Sequence, residues 1–226
     1  MNFKFILMMF LLVLFLGPIP SGKALPDDRV SAVIEGISGR YGDAKGLAAE
    51  YTREAISKTM AKLGVADRHD LAKGRLYFKP PDFVRLEQSS PQEELLLTDG
   101  QTLWWYVPLK KEVYKYPAEK FGQELRLLGD VLKGLKDAGD RFQITLKAIP
   151  ETSTYHLILR PDPPWQDIDH LEVIIGKGDF AINQVDIYNT IGGLTRFLLS
   201  SWKEKDRFTR GFFSFFPPPG IEVKEK

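Results

Sequence analysis

Three histidines, His69, His156 and His170, are the side chains in this sequence best suited to moving protons or holding a metal near neutral pH. None lies two, three or four residues from another, so a histidine-based metal site would have to be assembled from distant strands. The densest cluster of possible ligands is Asp167, Asp169 and His170. On an extended strand Asp167 and Asp169 share one face, and the pair reads as a solvated edge. Residues 176–181, Gly-Lys-Gly-Asp-Phe-Ala, match the G-x-G-x-x-A pattern that cradles a dinucleotide pyrophosphate. That chemistry needs a helix straight after the loop. Residues 182–188 alternate as a strand does, so the segment predicts a hairpin turn. No G-x-S-x-G elbow, H-E-x-x-H helix or Walker loop is present. Cysteine is absent, which excludes disulfides, thiolate catalysis and thiolate-held zinc or iron–sulfur clusters, and leaves no cysteine for an N-terminal lipid anchor. The sequence supports no enzyme, no metal and no cofactor.

The elements around these residues divide into a leader and a mostly β body. Lys4 precedes an apolar run at residues 5–16, Gly17, Pro18 and Pro20 break it, and Gly22-Lys23-Ala24 supplies small residues for a cut after Ala24. Residues 1–24 thus read as a cleavable signal peptide, since the run is too short for a bilayer-spanning helix, which needs roughly 20 apolar residues. The remainder, 25–226, shows no linker or low-complexity stretch and is expected to form one domain. Pro26-Asp27-Asp28 caps a helix whose Val30, Val33, Ile34, Ile37 and Tyr41 recur at helical spacing before Gly42. From Gly46 the period becomes two. Strands are expected from Leu47 and at 74–79, 83–88, 95–98, 103–107 and 112–116, separated by Pro80-Pro81, Ser89-Ser90-Pro91, Asp99-Gly100 and Pro108. Between 119 and 137 the helical period returns, with Leu125, Leu128, Val131, Leu132 and Leu135 on one stripe. Gly129 and Gly134 weaken that helix by about 1 kcal/mol each relative to Ala. Strands resume at 142–148, 155–160, 168–175, 182–188 and 194–202, and a last apolar element, 212–216, runs into Pro217-Pro218-Pro219-Gly220.

About ten strands and two amphipathic helices predict a strongly curved antiparallel sheet whose concave face the helices cover. Filled with side chains, that concavity is ordinary core. Left open, it is an apolar pocket closed by helices. Periodicity does not separate the two. Composition agrees with a folded chain: 226 residues, 43% apolar and 12% aromatic, are neither a disordered tail nor a multi-pass membrane protein. Thirty-one basic residues against thirty acidic ones leave no electrostatic case for nucleic acid.

Residues 73–109 are the most distinctive. Gly74-Arg75-Leu76-Tyr77-Phe78-Lys79-Pro80-Pro81 precedes Phe83-Val84-Arg85-Leu86-Glu87, then Pro91, then Thr98-Asp99-Gly100-Gln101-Thr102-Leu103-Trp104-Trp105-Tyr106-Val107-Pro108. This resembles the periplasmic outer-membrane lipoprotein carrier family (LolA-like), with its G-x-L-x-x-K-x-P strand, F/M-R-W strand and D-G-x-x-L-W-x-Y-x-P hairpin. Phe213-Ser214-Phe215-Phe216-Pro217-Pro218-Pro219-Gly220-Ile221-Glu222-Val223 is similar to the family's C-terminal F-x-F-x-P-P-x-G-V-x-V. The resemblance implies an incomplete antiparallel β-barrel with a helical lid over an apolar cavity. It implies a monomeric periplasmic carrier that takes acylated lipoproteins from an inner-membrane ABC-type exporter and delivers them to an outer-membrane receptor. The alternatives are a carrier of another envelope lipid and a lipid- or lipoprotein-binding envelope sensor. By alternation and motif together, Leu76, Phe78, Val84, Leu86, Trp104 and Tyr106 are expected to wall the acyl-chain cavity, with Trp104 and Trp105 on opposite faces. Val33, Ile34, Ile37, Leu125, Leu128 and Leu132 are expected to form the underside of the lid. Two departures stand out. Pro80 occupies the place where some members carry a lid-closing arginine, and Leu86 replaces the aromatic after the family's arginine, which is retained as Arg85.

Overall fold

The computed structural model describes residues 28–57, 71–121, 123–149 and 152–225. The expected signal peptide and His69 lie outside them. Helix α1 (Asp28–Tyr41) opens with Asp28 in its first turn and closes with Arg40 in its last, each sign suiting the helix dipole. Val30, Val33, Ile37 and Tyr41 form its buried stripe, and the Gly42 N–H donates to the Ser38 carbonyl at 2.7 Å.

Twelve strands follow: β1 (Leu47–Ile56), β2 (Leu71–Lys79), β3 (Phe83–Ser90), β4 (Glu94–Thr98), β5 (Thr102–Val107), β6 (Glu112–Pro117), β7 (Phe142–Leu146), β8 (Thr154–Pro161), β9 (Ile168–Gly176), β10 (Ile182–Asn189), β11 (Leu194–Glu204) and β12 (Val223–Glu225). They make one sheet in the order β12-β6-β5-β4-β3-β2-β1-β11-β10-β9-β8-β7. Every pair is antiparallel except β12, which runs parallel to β6. The expected elements are present, with β12 added: three residues are too short for an alternation to show. Residues 212–216 are not a strand; they lie across the outer face of the sheet.

In a flat sheet, strands about 4.8 Å apart would leave β4 and β7 roughly 40 Å from one another. Thr98 of β4 and Arg141, at the foot of β7, instead line the same cavity of about 350 Å³. The sheet therefore curls on itself. Among the described residues its two edges, β12 and β7, do not pair, and it stays open.

The mid-chain helix is shorter than its apolar stripe suggests. It divides into α2 (Ala118–Phe121) and α3 (Gln123–Leu132), followed by a turn and a 3₁₀ segment at Ala138–Asp140. Gly134 (φ 85°) and Leu135 (φ 58°) take left-handed backbone conformations there. A Cβ on Gly134 would stand 2.9 Å from the Ser38 Cα, so the chain turns where it meets α1. Leu135 is buried all the same. The glycine-rich residues 176–181 join antiparallel β9 and β10, with Phe180 N–H donating to Gly176 O and Gly176 N–H to Ala181 O, both at 2.9 Å. They form a hairpin turn, as expected.

Candidate functional site

The register of β1 to β6 arranges the concave face into three ladders of side chains. The first is Leu47, Phe78, Val84, Thr98, Leu103 and Tyr116. It runs under α3, where Val84 Cγ2 and Phe78 Cε2 lie 3.6 and 3.7 Å from the place a Cβ on Gly129 would take. The second is Ala49, Leu76, Leu86, Leu96, Trp105 and Tyr114. Leu76 and Leu86 are fully buried at 0% and 1% exposure, whereas Leu96, Trp105 and Tyr114 are half-buried. The Trp105 and Tyr114 rings stack at 5.2 Å, and Tyr114 stacks on Tyr116 at 6.1 Å. One apolar surface thus passes without a break from the core to a partly open wall. The third ladder is Tyr51, Gly74, Gln88 and Glu94, with Arg53 two residues further along β1. Glu94 accepts from Trp105 Nε1 at 2.9 Å and from Gln92 Nε2 at 2.7 Å. Burial pushes the Tyr51 hydroxyl up to about 12.

The two long helices are held differently. Tyr41, at the end of α1, accepts the buried Ile182 N–H on its hydroxyl at 3.0 Å. Its ring packs on Trp202, whose Nε1 donates to the Ile182 carbonyl at 2.9 Å. Arg40 donates to the Asp179 carbonyl at 2.8 Å. The C-terminal end of α3 is tied at the rim by charges. Lys133, just past the helix, lies 2.6 Å from Asp82 of the β2–β3 turn and 3.4 Å from Asp130, and Arg141 also pairs with Asp130. Beneath these ties lies the cavity shared by Val84, Thr98, Leu125 and Ala138. A second cavity, about 460 Å³, separates Ala32 and Val33 of α1 from Leu146 and Tyr155.

Of the residues expected on the cavity wall, Leu76, Phe78, Val84 and Leu86 share the concave face and are buried. Trp104 and Tyr106 do not join them. Pairing of Leu97 with Trp104 and Leu95 with Tyr106 puts both aromatics on the outer face, where they pack against Phe215 at 5.3 and 5.6 Å. Trp105 takes the inner place. The sequence held a signal for this: Leu103 and Val107 are the aliphatic ends of the strand, and Trp105 shares their parity. The expected underside residues Val33, Ile37, Leu125, Leu128 and Leu132 are buried, and Ile34 is partly buried against the same core. These buried side chains occupy the concavity between the helices and the sheet and leave within it the two cavities of about 350 and 460 Å³. Sequence reasoning missed Leu96, Tyr114 and Tyr116, whose strands were assigned but whose faces were not, and Arg53, Gln88 and Glu94, which are polar residues on a buried face.

The outer face carries a second aromatic cluster. Phe208, Phe212, Phe213 and Phe215 pack on Tyr77, Phe83, Trp104 and Tyr106. Arg85 belongs to this cluster, with Nη1 donating to the Phe212 carbonyl at 2.8 Å, Nε donating to Glu87 at 2.8 Å, and the guanidinium 4.7 Å over the Phe212 ring. It ties down the C-terminal segment and faces away from the helices.

Among the described residues no group of three or more His, Asp and Glu side chains is placed to hold a metal. His170 stacks on Tyr188 at 4.3 Å. A hydrogen bond from His170, with Arg160 adding its charge, holds the Asp169 carboxyl below the usual carboxylate range. The expected solvated edge is not found: Asp169 and His170 lie on β9, which pairs with β10 on one side and β8 on the other, and they form an ion pair on an interior strand of the sheet.

The sequence matches the family model described as outer membrane lipoprotein carrier protein LolA over residues 44–216. It is 24% identical over 216 residues to the outer-membrane lipoprotein carrier protein of Pseudomonas paraeruginosa, covering 93% of this chain and 96% of the relative. It is 27% identical over 153 residues to the protein of that name from Azotobacter vinelandii, covering 66% and 70%. In fold it is similar to an uncharacterized conserved protein from Thermus thermophilus, with a TM-score of 0.52 at 13% identity, over 88% of this chain and 99% of that one.

Proposed function

The chain belongs to the outer membrane lipoprotein carrier family, LolA, and we propose that it holds the acyl chains of lipoproteins in the concavity of its sheet and carries them from inner to outer membrane. The second ladder supports this reading most directly. Leu76, Leu86, Leu96, Trp105 and Tyr114 make a continuous apolar wall, buried at one end and half-open at the other, with α3 packed on the ladder beside it. Phe78 and Val84 extend the wall once α3 lifts; Leu125, Leu128 and Leu132 are the surface that an acyl chain replaces. Val33, Ile34 and Ile37 of α1 close the other side of the concavity.

The energetics explain why such cargo needs a carrier. Each buried CH₂ is worth about 0.8 kcal/mol, so one sixteen-carbon chain costs on the order of 10 kcal/mol to expose to water. Release into bulk solvent is correspondingly slow, and cargo passes from one apolar cavity directly into the next. The supplier in this reading is an inner-membrane ABC-type exporter, and the acceptor is an outer-membrane receptor. Energy enters at the exporter, so the carrier itself needs only binding and no catalysis. Residues 1–24 direct export to the periplasm and are removed after Ala24.

The test mixes the exported, processed protein with a triacylated lipoprotein in detergent, removes the detergent and weighs the soluble species by native mass spectrometry. A one-to-one complex, on a chain beginning at Leu25, is the expected result. A folded protein that leaves the lipoprotein to precipitate overturns the reading.

A further inference from the structure

Arg53 is a cationic side chain on the concave face that forms no ion pair among the described residues. Its neighbours across the sheet on that face are Ala72 and Phe197, both buried. Its Nε is out of solvent and has no hydrogen-bond partner. Its Nη2 reaches the Gln88 Oε1 only at 3.5 Å. A solvent-excluded donor left without a partner, here the Nε of a half-buried arginine, is costly in a folded protein, and such an atom marks a place where a partner arrives. Gln88 is itself buried, its Nε2 donating to the Gln92 carbonyl at 3.0 Å, which keeps its oxygen beside the guanidinium. Glu94, the acid of this ladder, already receives Trp105 and Gln92.

The polar ladder adjoins the apolar one: Gln88 and Glu94 stand two residues along β3 and β4 from Leu86 and Leu96. An acyl chain laid on the wall of Leu86, Leu96 and Trp105 therefore brings its polar end to Arg53. We propose that Arg53, beside the buried Gln88, is a head-group subsite that donates to a carbonyl or phosphoryl oxygen at the polar end of a bound acyl chain. The planar fork of arginine suits such oxygens, and the low-dielectric setting strengthens the bond. This subsite rests on the acyl-carrier reading and adds to it a preference for what the acyl chain is attached to.

The experiment titrates the processed protein, its Arg53→Met variant and its Arg53→Lys variant with three probes, reading tryptophan fluorescence and calorimetry. One probe is a dipalmitoylglyceryl-cysteinyl peptide, whose head carries ester carbonyls. The second is lysophosphatidylglycerol, whose head carries a phosphate. The third, dodecyltrimethylammonium below its micelle concentration, has a cationic head without an acceptor. Arg53→Met is expected to weaken one or both oxygen-headed probes by about tenfold, the size of a lost charge-assisted hydrogen bond, and to leave the cationic probe within about twofold. Arg53→Lys, which keeps the charge without the fork, is expected to fall between. Loss confined to the peptide identifies a lipoprotein anchor as the source, and loss confined to the lysolipid a phospholipid. Equal binding of all probes by wild type and variant overturns the subsite and leaves the carrier standing; so does an equal loss for all three. If the folded wild type binds none of them, carrier and subsite fall together. Should Arg53→Met fail to fold, Arg53→Lys against the same probes decides the point.

Discussion

Trp104 and Trp105 are adjacent, chemically identical and assigned to different tasks by the pleat alone. Trp105 stacks on Tyr114 at the open end of the inner wall, and Trp104 sits under Phe215 on the outer face. Replacing Trp105 by Ala should weaken acyl-probe binding by about tenfold, as expected from losing one large apolar contact of the inner wall. Replacing Trp104 by Ala, whose ring is equally half-buried, should cost about 1–3 kcal/mol in urea unfolding and leave probe affinity unchanged within about twofold. The opposite outcome would mean that the outer face is the binding face. Alternation made one of the pair inward-facing, and the family resemblance favoured Trp104. Register decided otherwise, and register depends on pairing with Leu96 and Leu97 across a turn, which lies beyond a single strand's pattern. Tyr51 offers a second residue-scale test. Its hydroxyl ordinarily titrates near 10 and burial moves it up to about 12 in the fold. The folded state therefore holds this proton more tightly than the unfolded chain. Its contribution to stability is complete below pH 10 and is lost as pH rises from 10 to 12, by up to about 2–3 kcal/mol. Burial raises Tyr41 and Tyr188 too, so the quantity to measure is the difference in unfolding free energy between wild type and Tyr51→Phe. That difference should be flat below pH 10 and shift in favour of the variant above it.

At the scale of elements, the helices differ in how they are fastened, and this distinguishes a fixed cover from a movable one. Helix α1 ends in a buried hydrogen bond from Ile182 to Tyr41, whereas the rim tie of α3 at Lys133–Asp82 joins side chains that are 30% and 47% exposed. Exposed pairs of this kind contribute at most about 1 kcal/mol, and an orphaned buried donor costs about 1–3 kcal/mol. Lys133→Ala should therefore leave global stability almost unchanged, speed hydrogen exchange in α3 and accelerate acyl-probe uptake. Tyr41→Phe should destabilise the whole fold instead. Uptake that is slowed or unaffected in Lys133→Ala, with α3 exchange unaltered, would remove the rim tie from the gating of the concavity. The tie lies two residues past Pro80, where Asp82 meets Lys133 at the end of α3. The existence of α1 and α3 was legible because their stripes repeat every three to four residues. The end of α3 was not. Leu135 continues the period, and only the approach of Gly134 to Ser38 in space forces the chain to turn.

Taken whole, the molecule is a curled open sheet with apolar surface on both faces, and its two coverings are chemically unlike. On the concave side the cover is two amphipathic helices; on the outer side it is residues 208–216, pinned by Arg85 and four phenylalanines. The strand runs were readable as a curved sheet because they alternate. The outer cover was not, because residues 208–216 form no regular element, and their partners are spread over several strands. An open sheet with a bare apolar outer face would associate with itself, and a carrier needs only one face to be accessible. The outer cover should therefore be required for solubility and stability but not for affinity. A Phe212→Ala, Phe213→Ala double variant removes two rings that bury against Tyr77, Phe83 and each other. It should lose several kcal/mol of unfolding free energy and show concentration-dependent association in sedimentation. Its monomer should still bind the acyl probes as wild type does, and the Trp105→Ala effect should persist on that background, since the two sites lie on opposite faces and share no partner. Loss of probe binding by a folded, monomeric double variant would mean that the outer segment contributes to the cargo site, and that the two faces of the sheet are coupled.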